Sequence, residues 1–265
     1  MNKKDTKINR NDMLELTRRM TLSRNCFVRA AGAYIDDEGY IVQMKKIQDV
    51  MLKACAENEA IWRNIWKGGI WMKWADGKIR CCWANPRNER YIRYHDEEWG
   101  IPVHDDRKLF EMLILECFQA GLSWECVLNK RDAFRKAFDN FDPEKVSAYT
   151  EDKLEALRSN PGIIRNRLKI QAAVTNAWAF LEIQKEYGSF SDYIWHWTDG
   201  KVVCETGRTS SELSDCISKD LKKRGMKFVG TTVIYAYLQA VGVLCSHEQG
   251  CFLANQEAEH YNSYS

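Results

Sequence analysis

The chain has 265 residues, 45% of them hydrophobic, enough to bury a sizeable core and too apolar for a disordered chain. No run approaches the roughly eighteen consecutive apolar residues of a membrane span, and the polar opening MNKKDTKINRND is no secretory signal, so a cytoplasmic protein without membrane contact is expected. Net charge is +2, but residues 1–79 hold 15 Lys/Arg against 10 Asp/Glu and residues 80–265 hold 24 against 27, which leaves the larger part at −3. Bulk charge therefore gives no support for nucleic-acid binding, and any such role rests on local patches. The ten cysteines are scattered through a cytosolic-looking chain, so most read as reduced, small core residues rather than a disulfide framework.

In chain order, residues 1–79 read as an N-terminal appendage of unassigned role. It contains a possible β-hairpin over AAGAYIDDEGYIVQM, turning at Asp37-Glu38-Gly39, then a helical stretch through KKIQDVMLKACAENEAIWRNIW. Residues 68–78, GGIWMKWADGK, read as a linker or turn. From residue 80 the pattern is helical almost throughout. Apolar residues recur at i, i+3 and i+4 in RKLFEMLILECFQA, RDAFRKAFDNF, EDKLEALRS, RNRLKIQAAVTNAWAFLEIQKEYG, SDCISKDLKKRG and TTVIYAYLQAVG. Asp142-Pro143 and Asn160-Pro161-Gly162 punctuate these helices, and Gly225 suits the position just past a helix that Ser214 could cap. The expected fold is all-α over residues 80–253, with a little strand in the appendage and a disordered tail over 254–265.

Four constellations carry possible chemistry. The stretch KKRGMKFVGTT has Gly225 and Gly230 before a helix starting near Thr231, where backbone amides and the helix dipole can meet a phosphate, and Lys222, Lys223, Arg224 and Lys227 surround it. A plain helix–turn–helix connection with a solvated basic rim is the equal alternative. In KLFEMLILECFQAGLSW, Glu116 follows Leu109 by seven residues, Met112 by four and Leu113 by three, so it projects from the apolar face while Glu111 points elsewhere. A carboxylate there needs a partner, and a core arginine is the plainer one. Trp83, Tyr91, Tyr94, Trp99 and Trp124 are aromatics that either pack in a core or form walls for a flat, electron-poor ring. Cys81 with His95, and His247 with Cys251 three intervening residues on, have the composition of a closed structural zinc site joining the start of the domain to its end, against the plainer reading of reduced thiols and satisfied histidines.

In this order, the blocks RCCWAN, YIRYHDEEWG, LFEMLILECFQAGLSWECVLNKR, PGIIRNRLKI, LSDCISKDLKKRGMKFVGTT and HEQGC resemble the bacterial 3-methyladenine DNA glycosylase I family of the helix-hairpin-helix glycosylase superfamily, from about Arg80 to Phe252. The resemblance implies a helix-hairpin-helix fold with zinc-clamped termini, and excision of N3-methyladenine from alkylated double-stranded DNA by a monomeric enzyme without lyase activity. It places Cys81, His95, His247 and Cys251 on the zinc ligands, and Glu116, Trp124, Tyr91, Tyr94 and Trp83 on the base pocket. Where the family reads Cys-Gly-Trp this chain has Cys81-Cys82-Trp83, and the alignment favours Cys81 as ligand. Leu122, at the Gly121-Leu122 turn, is the candidate to touch the duplex beside the flipped nucleotide. The hairpin lacks the aspartate that many such enzymes carry one helix further on: from Leu221 to His247 there is no Asp or Glu. A substrate that already carries positive charge makes Glu116 the expected working carboxylate instead. The competing reading is a zinc-stabilised helical module that recognises lesions without cutting, and a blander one is an interaction protein without nucleic acid.

Overall fold

The computed structural model describes residues 73, 74 and 76–254; the hairpin expected over 30–44, the helical stretch after it and the tail from 255 lie outside them. The chain divides into two compact units, Met1–Ile70 with Cys82–Asn85, and Trp71–Cys81 with Pro86–Ser265. In the second unit the described elements, in chain order, are α1 (Glu89–Glu97), α2 (Asp106–Gln119), α3 (Trp124–Asn129), α4 (Arg131–Ala137), a 3₁₀ turn (Asp139–Phe141), α5 (Pro143–Ser147), α6 (Glu151–Ser159), α7 (Arg167–Tyr187), α8 (Phe190–His196), β1 (Val203–Cys204), α9 (Glu212–Lys223), α10 (Thr231–Ala240) and β2 (Leu244–Cys245). The helical expectation holds. The described strands lie in this unit, as a parallel pair with Val203 opposite Leu244, and the segment read as a linker closes a turn through an antiparallel bridge between Lys73 and Ile79.

Short polar side chains set the helix starts. Asn88, Asp105, Ser123, Asp142, Thr150, Asn166 and Ser189 each accept a hydrogen bond from a first-turn amide of the helix that follows, which satisfies donors that the helix cannot. The cap of α9 is Ser211, not Ser214. Ser214 sits at the third helical position and returns a bond to the Ser211 amide, completing a capping box, and its hydroxyl also meets Thr231 Oγ1 at 2.8 Å. The start of α9 is thereby tied to the start of α10.

The core is built around α2. Residues Leu109 to Gln119 are all buried, so this helix is covered on every side rather than along one stripe, and it contacts α7, α8 and α10. Phe180 stacks on Phe190 and meets Phe110 edge-on, and Phe118 packs edge-on against Phe134 and Phe138. Each such side chain contributes about 1.5–3 kcal/mol on burial. Beyond α10 the chain turns at Gly242, with φ +74°, where a Cβ would lie 2.3 Å from the carbonyl carbon of Ile101. This close approach lets Val103 donate to Val241 O and Gly100 to Gln239 O.

Burial carries a cost where a helix holds charge, and the buried stretch of α2 from Leu109 to Gln119 holds two carboxylates, Glu111 and Glu116. Glu111 is met by Arg131 Nε at 2.7 Å and Arg135 Nε at 2.8 Å, and Arg131 also reaches Glu98 at 2.9 Å. Burial pushes the Glu111 carboxyl up, but the charge and hydrogen bonds of Arg131, then Arg135 and Lys108, outweigh it and leave it below the usual range. The core arginine that a lone glutamate calls for is therefore bound to Glu111, on a different side of α2 from Glu116.

Candidate active site and metal cluster

Glu116 stands one turn before the end of α2 and is 4% exposed. Tyr91 and Tyr94 both lie on the buried face of α1. The Tyr94 hydroxyl is held well above its usual range, first by burial and then by the negative charge of Glu116. Burial and the same carboxylate push the Cys117 thiol up to about 12. Trp124, the first residue of α3, is brought to Tyr94 with ring centroids 5.2 Å apart at 45°. Its indole Nε1 is buried and has no acceptor among the described residues, an uncommon state for a buried donor.

The arrangement is set by one residue that the sequence did not advertise. Asn88 caps α1 through its side-chain oxygen, and its amide nitrogen donates to Glu125 Oε1 at 2.7 Å and Asn129 Oδ1 at 3.0 Å on α3. The helix bearing Tyr91 and Tyr94 is thus pinned to the helix bearing Trp124. Trp83 is half-buried in the Cys82–Asn85 segment, which groups with the first unit. Between α2 and α3 the chain turns at Gly121, φ +80°, and Leu122 is 42% exposed.

The loop from α9 to α10 is closed at its first end by two bonds, Gly225 N to Lys222 O and Met226 N to Leu221 O, with Gly225 at φ +95°. This pair of bonds requires a left-handed residue just past the helix, which glycine adopts at least cost. At the other end Gly230 starts α10 at Thr231 without any side-chain cap, so the first-turn amides are not served by a capping side chain. Lys222, Lys223 and Lys227 are exposed. Arg224 is not available in the same way: its guanidinium binds Glu186 at 2.6 Å and Asp220 at 2.6 Å and lies over Tyr187 and Tyr193. Its place is at the base of the loop.

Cys81, His95, His247 and Cys251 converge as expected, all buried, with their ligand atoms within 4.8 Å of one another. Cys81 Sγ to His247 Nδ1 is 3.4 Å, Cys251 Sγ to His95 Nε2 is 3.5 Å and Cys251 Sγ to His247 Nδ1 is 3.6 Å. A tetrahedral ion with zinc-like bonds to sulfur and nitrogen requires edges of about 3.5 Å. The imidazoles are oriented from behind. His95 Nδ1 donates to Asp96 at 2.8 Å, and His247 Nε2 donates to Trp99 O at 3.3 Å, which turns the opposite nitrogens toward the thiols. Asp96 is itself held by Arg80 at 2.6 Å, and Arg80 by Asp76 and the face of Trp74. Burial and the bond to Cys251 push the Cys81 thiol well up, while that bond and those of the two histidines hold Cys251 far down. Two thiols and two imidazoles turned toward one point form a donor set that fits a soft divalent ion.

Of the expected site residues, the structure brings together Tyr94, Trp124 and Glu116 in one group and the four cysteines and histidines in another. All four of the latter are named from the sequence, but Asn88, which orients the first group, and Asp96, Arg80 and the carbonyl of Trp99, which orient the second, are not singled out there.

The comparisons with known proteins agree in extent. DNA-3-methyladenine glycosylase 1 of Escherichia coli (strain K12) is 46% identical over 178 residues, covering 65% of this chain and 95% of that protein. A crystal structure of 3-methyladenine DNA glycosylase I, 47% identical, superposes with a TM-score of 0.63 over 65% of this chain and 98% of the other. A structure of a 3-methyladenine DNA glycosylase I variant in complex with 3-methyladenine, 36% identical, gives 0.61 over 63% and 92%. The family model described as methyladenine glycosylase matches residues 83–254, the span that carries Glu116, the Tyr94–Trp124 pair and three of the four cluster residues, and the chain belongs to that family.

Proposed function

We propose that this protein is a base-excision DNA repair glycosylase that flips N3-methyladenine out of alkylated double-stranded DNA and hydrolyses its N-glycosidic bond to leave an abasic site. The observation that carries the reading is the buried Glu116 beside the Tyr94–Trp124 ring pair, with the Trp124 indole donor lacking an acceptor among the described residues. N3-methyladenine carries a positive charge, so the bond from its ring nitrogen to C1′ is already weakened. When that bond breaks, its electron pair passes to the base, which leaves neutral, and the sugar takes up the positive charge. Water then adds to C1′ and loses a proton. Because the leaving group needs no protonation, selection does most of the work. Aromatic faces of Tyr91, Tyr94 and Trp124 receive the ring, and Glu116 accepts hydrogen bonds from its edge and favours its charge. Unmodified adenine lacks the charge and has the stronger bond.

In the same reading the α9–α10 loop is the helix-hairpin-helix grip. Lys222, Lys223 and Lys227 with the backbone at Gly225, Gly230 and Thr231 hold phosphates without reading sequence, Arg224 braces the loop, and Leu122 enters beside the extruded nucleotide. Cys81, His95, His247 and Cys251 would hold a structural zinc ion, which supplies no catalytic chemistry and fixes the two ends of the domain to each other. The buried lysine among the described residues, Lys169, spends its ammonium on the Phe118 and Ala120 carbonyls, which argues against a Schiff base and for a monofunctional hydrolase. No described helix is long and apolar enough to cross a membrane, and we infer a monomeric, cytoplasmic protein. A base-release assay on methylated duplex DNA tests the proposal: free 3-methyladenine and alkali-labile abasic sites are expected, and duplex binding without release would establish the non-cleaving recognition module in its place.

A further inference from the structure

Two buried polar side chains of α7 play no part in the chemistry above. Asn176 is fully buried. Its Oδ1 accepts from the backbone N of Lys227 at 2.7 Å, and its Nδ2 donates to the backbone O of the same residue at 3.0 Å and lies 3.7 Å from Cys117 Sγ. Cys117 Sγ is itself 3.8 Å from Lys227 O. Both backbone groups of one loop residue are thus bound by a single amide that also touches the neighbour of Glu116. Aspartate cannot donate there and alanine can do neither. The residue that follows, Phe228, stands at φ +57°, a left-handed conformation that costs a bulky side chain free energy and persists only when its surroundings impose it.

One heptad earlier, on the same face of α7, Lys169 is also buried. Its Nζ donates to Phe118 O at 2.9 Å and Ala120 O at 2.5 Å, the terminal carbonyls of α2, and sits 5.9 Å from the ring centre of Phe228. A cation at a helix C-terminus satisfies carbonyls that the helix leaves open and complements its dipole. The two carbonyls lie within the segment between Glu116 and Leu122.

We infer that Lys169 and Asn176 are positioning residues that form a polar seam along α7 and set the register between the backbone grip and the base pocket. The inference rests on the glycosylase reading. Asn176 fixes the hairpin, Lys169 fixes the end of the helix that carries Glu116, and one helix bears both. A nucleotide held by its phosphates at the hairpin then arrives at Glu116 at a set reach, with Leu122 set by the same clamp.

The test uses the full chain and the variants Asn176→Ala, Asn176→Asp, Lys169→Met and Lys169→Arg. Three quantities are measured: single-turnover release of 3-methyladenine from methylated duplex, affinity for that duplex, and binding of free 3-methyladenine followed by tryptophan fluorescence. Asn176→Ala and Lys169→Met are expected to lower release about 10- to 100-fold, the scale of a misplacement of about 1 Å away from the reacting atoms. Duplex and free-base affinities stay within about threefold. Asn176→Asp, which keeps the bond from Lys227 N, falls in between and serves if the alanine variant does not fold; Lys169→Arg restores most of the rate. Unchanged release, or release and free-base binding lost in parallel, overturns the seam. Absence of release by the unaltered protein overturns the glycosylase reading, and the seam is then decided by amide hydrogen exchange. Faster exchange at residues 227–230 in Asn176→Ala and at residues 121–122 in Lys169→Met supports it, and unchanged exchange removes it.

Discussion

Replacing Glu116 by glutamine isolates the charge of the pocket from its shape. The side chain is 4% exposed and already close enough to Tyr94 to disfavour its ionisation, so a carboxylate there acts in a poorly screened setting. A cationic base in contact at about 4 Å, with an effective dielectric near 20, interacts with it by about 4 kcal/mol. Glutamine keeps the volume and one acceptor oxygen, and relaxation of the surroundings returns part of the rest, so a net loss of about 2–3 kcal/mol is expected, or roughly 30- to 150-fold. Positive charge is present both in the bound substrate and, shared with the sugar, in the transition state. The loss therefore falls on kcat/KM more than on kcat. Release of 3-methyladenine from methylated duplex under single-turnover conditions gives the rate, and competition between free 3-methyladenine and adenine gives the discrimination. Wild-type kcat/KM together with wild-type discrimination would refute the assignment of Glu116 as the charge-selecting group.

Cys251→Ser removes one member of the four-residue cluster while leaving Tyr91, Tyr94, Glu116 and Trp124 in place; elemental analysis should show zinc in the parent and little in the variant, with a large fall in Tm, because such binding is coupled to folding. Zinc-free parent protein of full stability would exclude the metal. Gly242→Ala forces an L-residue to φ +74° with its Cβ 2.3 Å from backbone; the left-handed conformation alone costs about 1–2 kcal/mol, and with the clash a loss of about 3 kcal/mol, or roughly 6–12 °C in Tm, is expected. A variant melting with the parent would show that the Ile101–Pro102 approach is loose. Glu111 is held below its ordinary value of 4.5, so its contribution is complete above that value and is lost as pH falls through the lowered one. The Tm of the parent should therefore drop more steeply below about pH 4.5 than that of Glu111→Gln, and parallel slopes would contradict the ion network.

Much of this was legible because the signals were local. Helical periodicity gave the helices and Gly225 marked the left-handed turn after α9, but the one cap read from the sequence, Ser214, sits three residues inside the true cap at Ser211. The convergence of Cys81, His95, His247 and Cys251 was legible through residue type, since cysteine and histidine bring few other uses together in a reduced interior. Spacing anticipated that Glu116 is buried, yet spacing also misled. It assumed one buried face for α2, whereas both of its inner carboxylates are enclosed, and what separates them is Arg131 and Arg135, about 20 residues away on α4. Lys169 and Asn176 were invisible for the same reason. In sequence they are ordinary polar positions of an amphipathic helix, and only contacts some 50 residues distant make them interior. Arg224 shows the converse: a basic residue in a basic run, committed to Glu186 on another helix.

That commitment bears on how the protein searches. Of the four cations in the loop, one is already neutralised by two carboxylates, so at most three remain to displace counterions from the duplex. Each phosphate contact contributes about −0.9 to the slope of log K against log salt, which limits the hairpin to about −3. On the proposed glycosylase reading, a domain whose charge from residue 80 onward is −3 would hold undamaged DNA weakly and release it quickly. Residence then depends on a base that fits the pocket, and the time spent on each ordinary stretch of duplex is short.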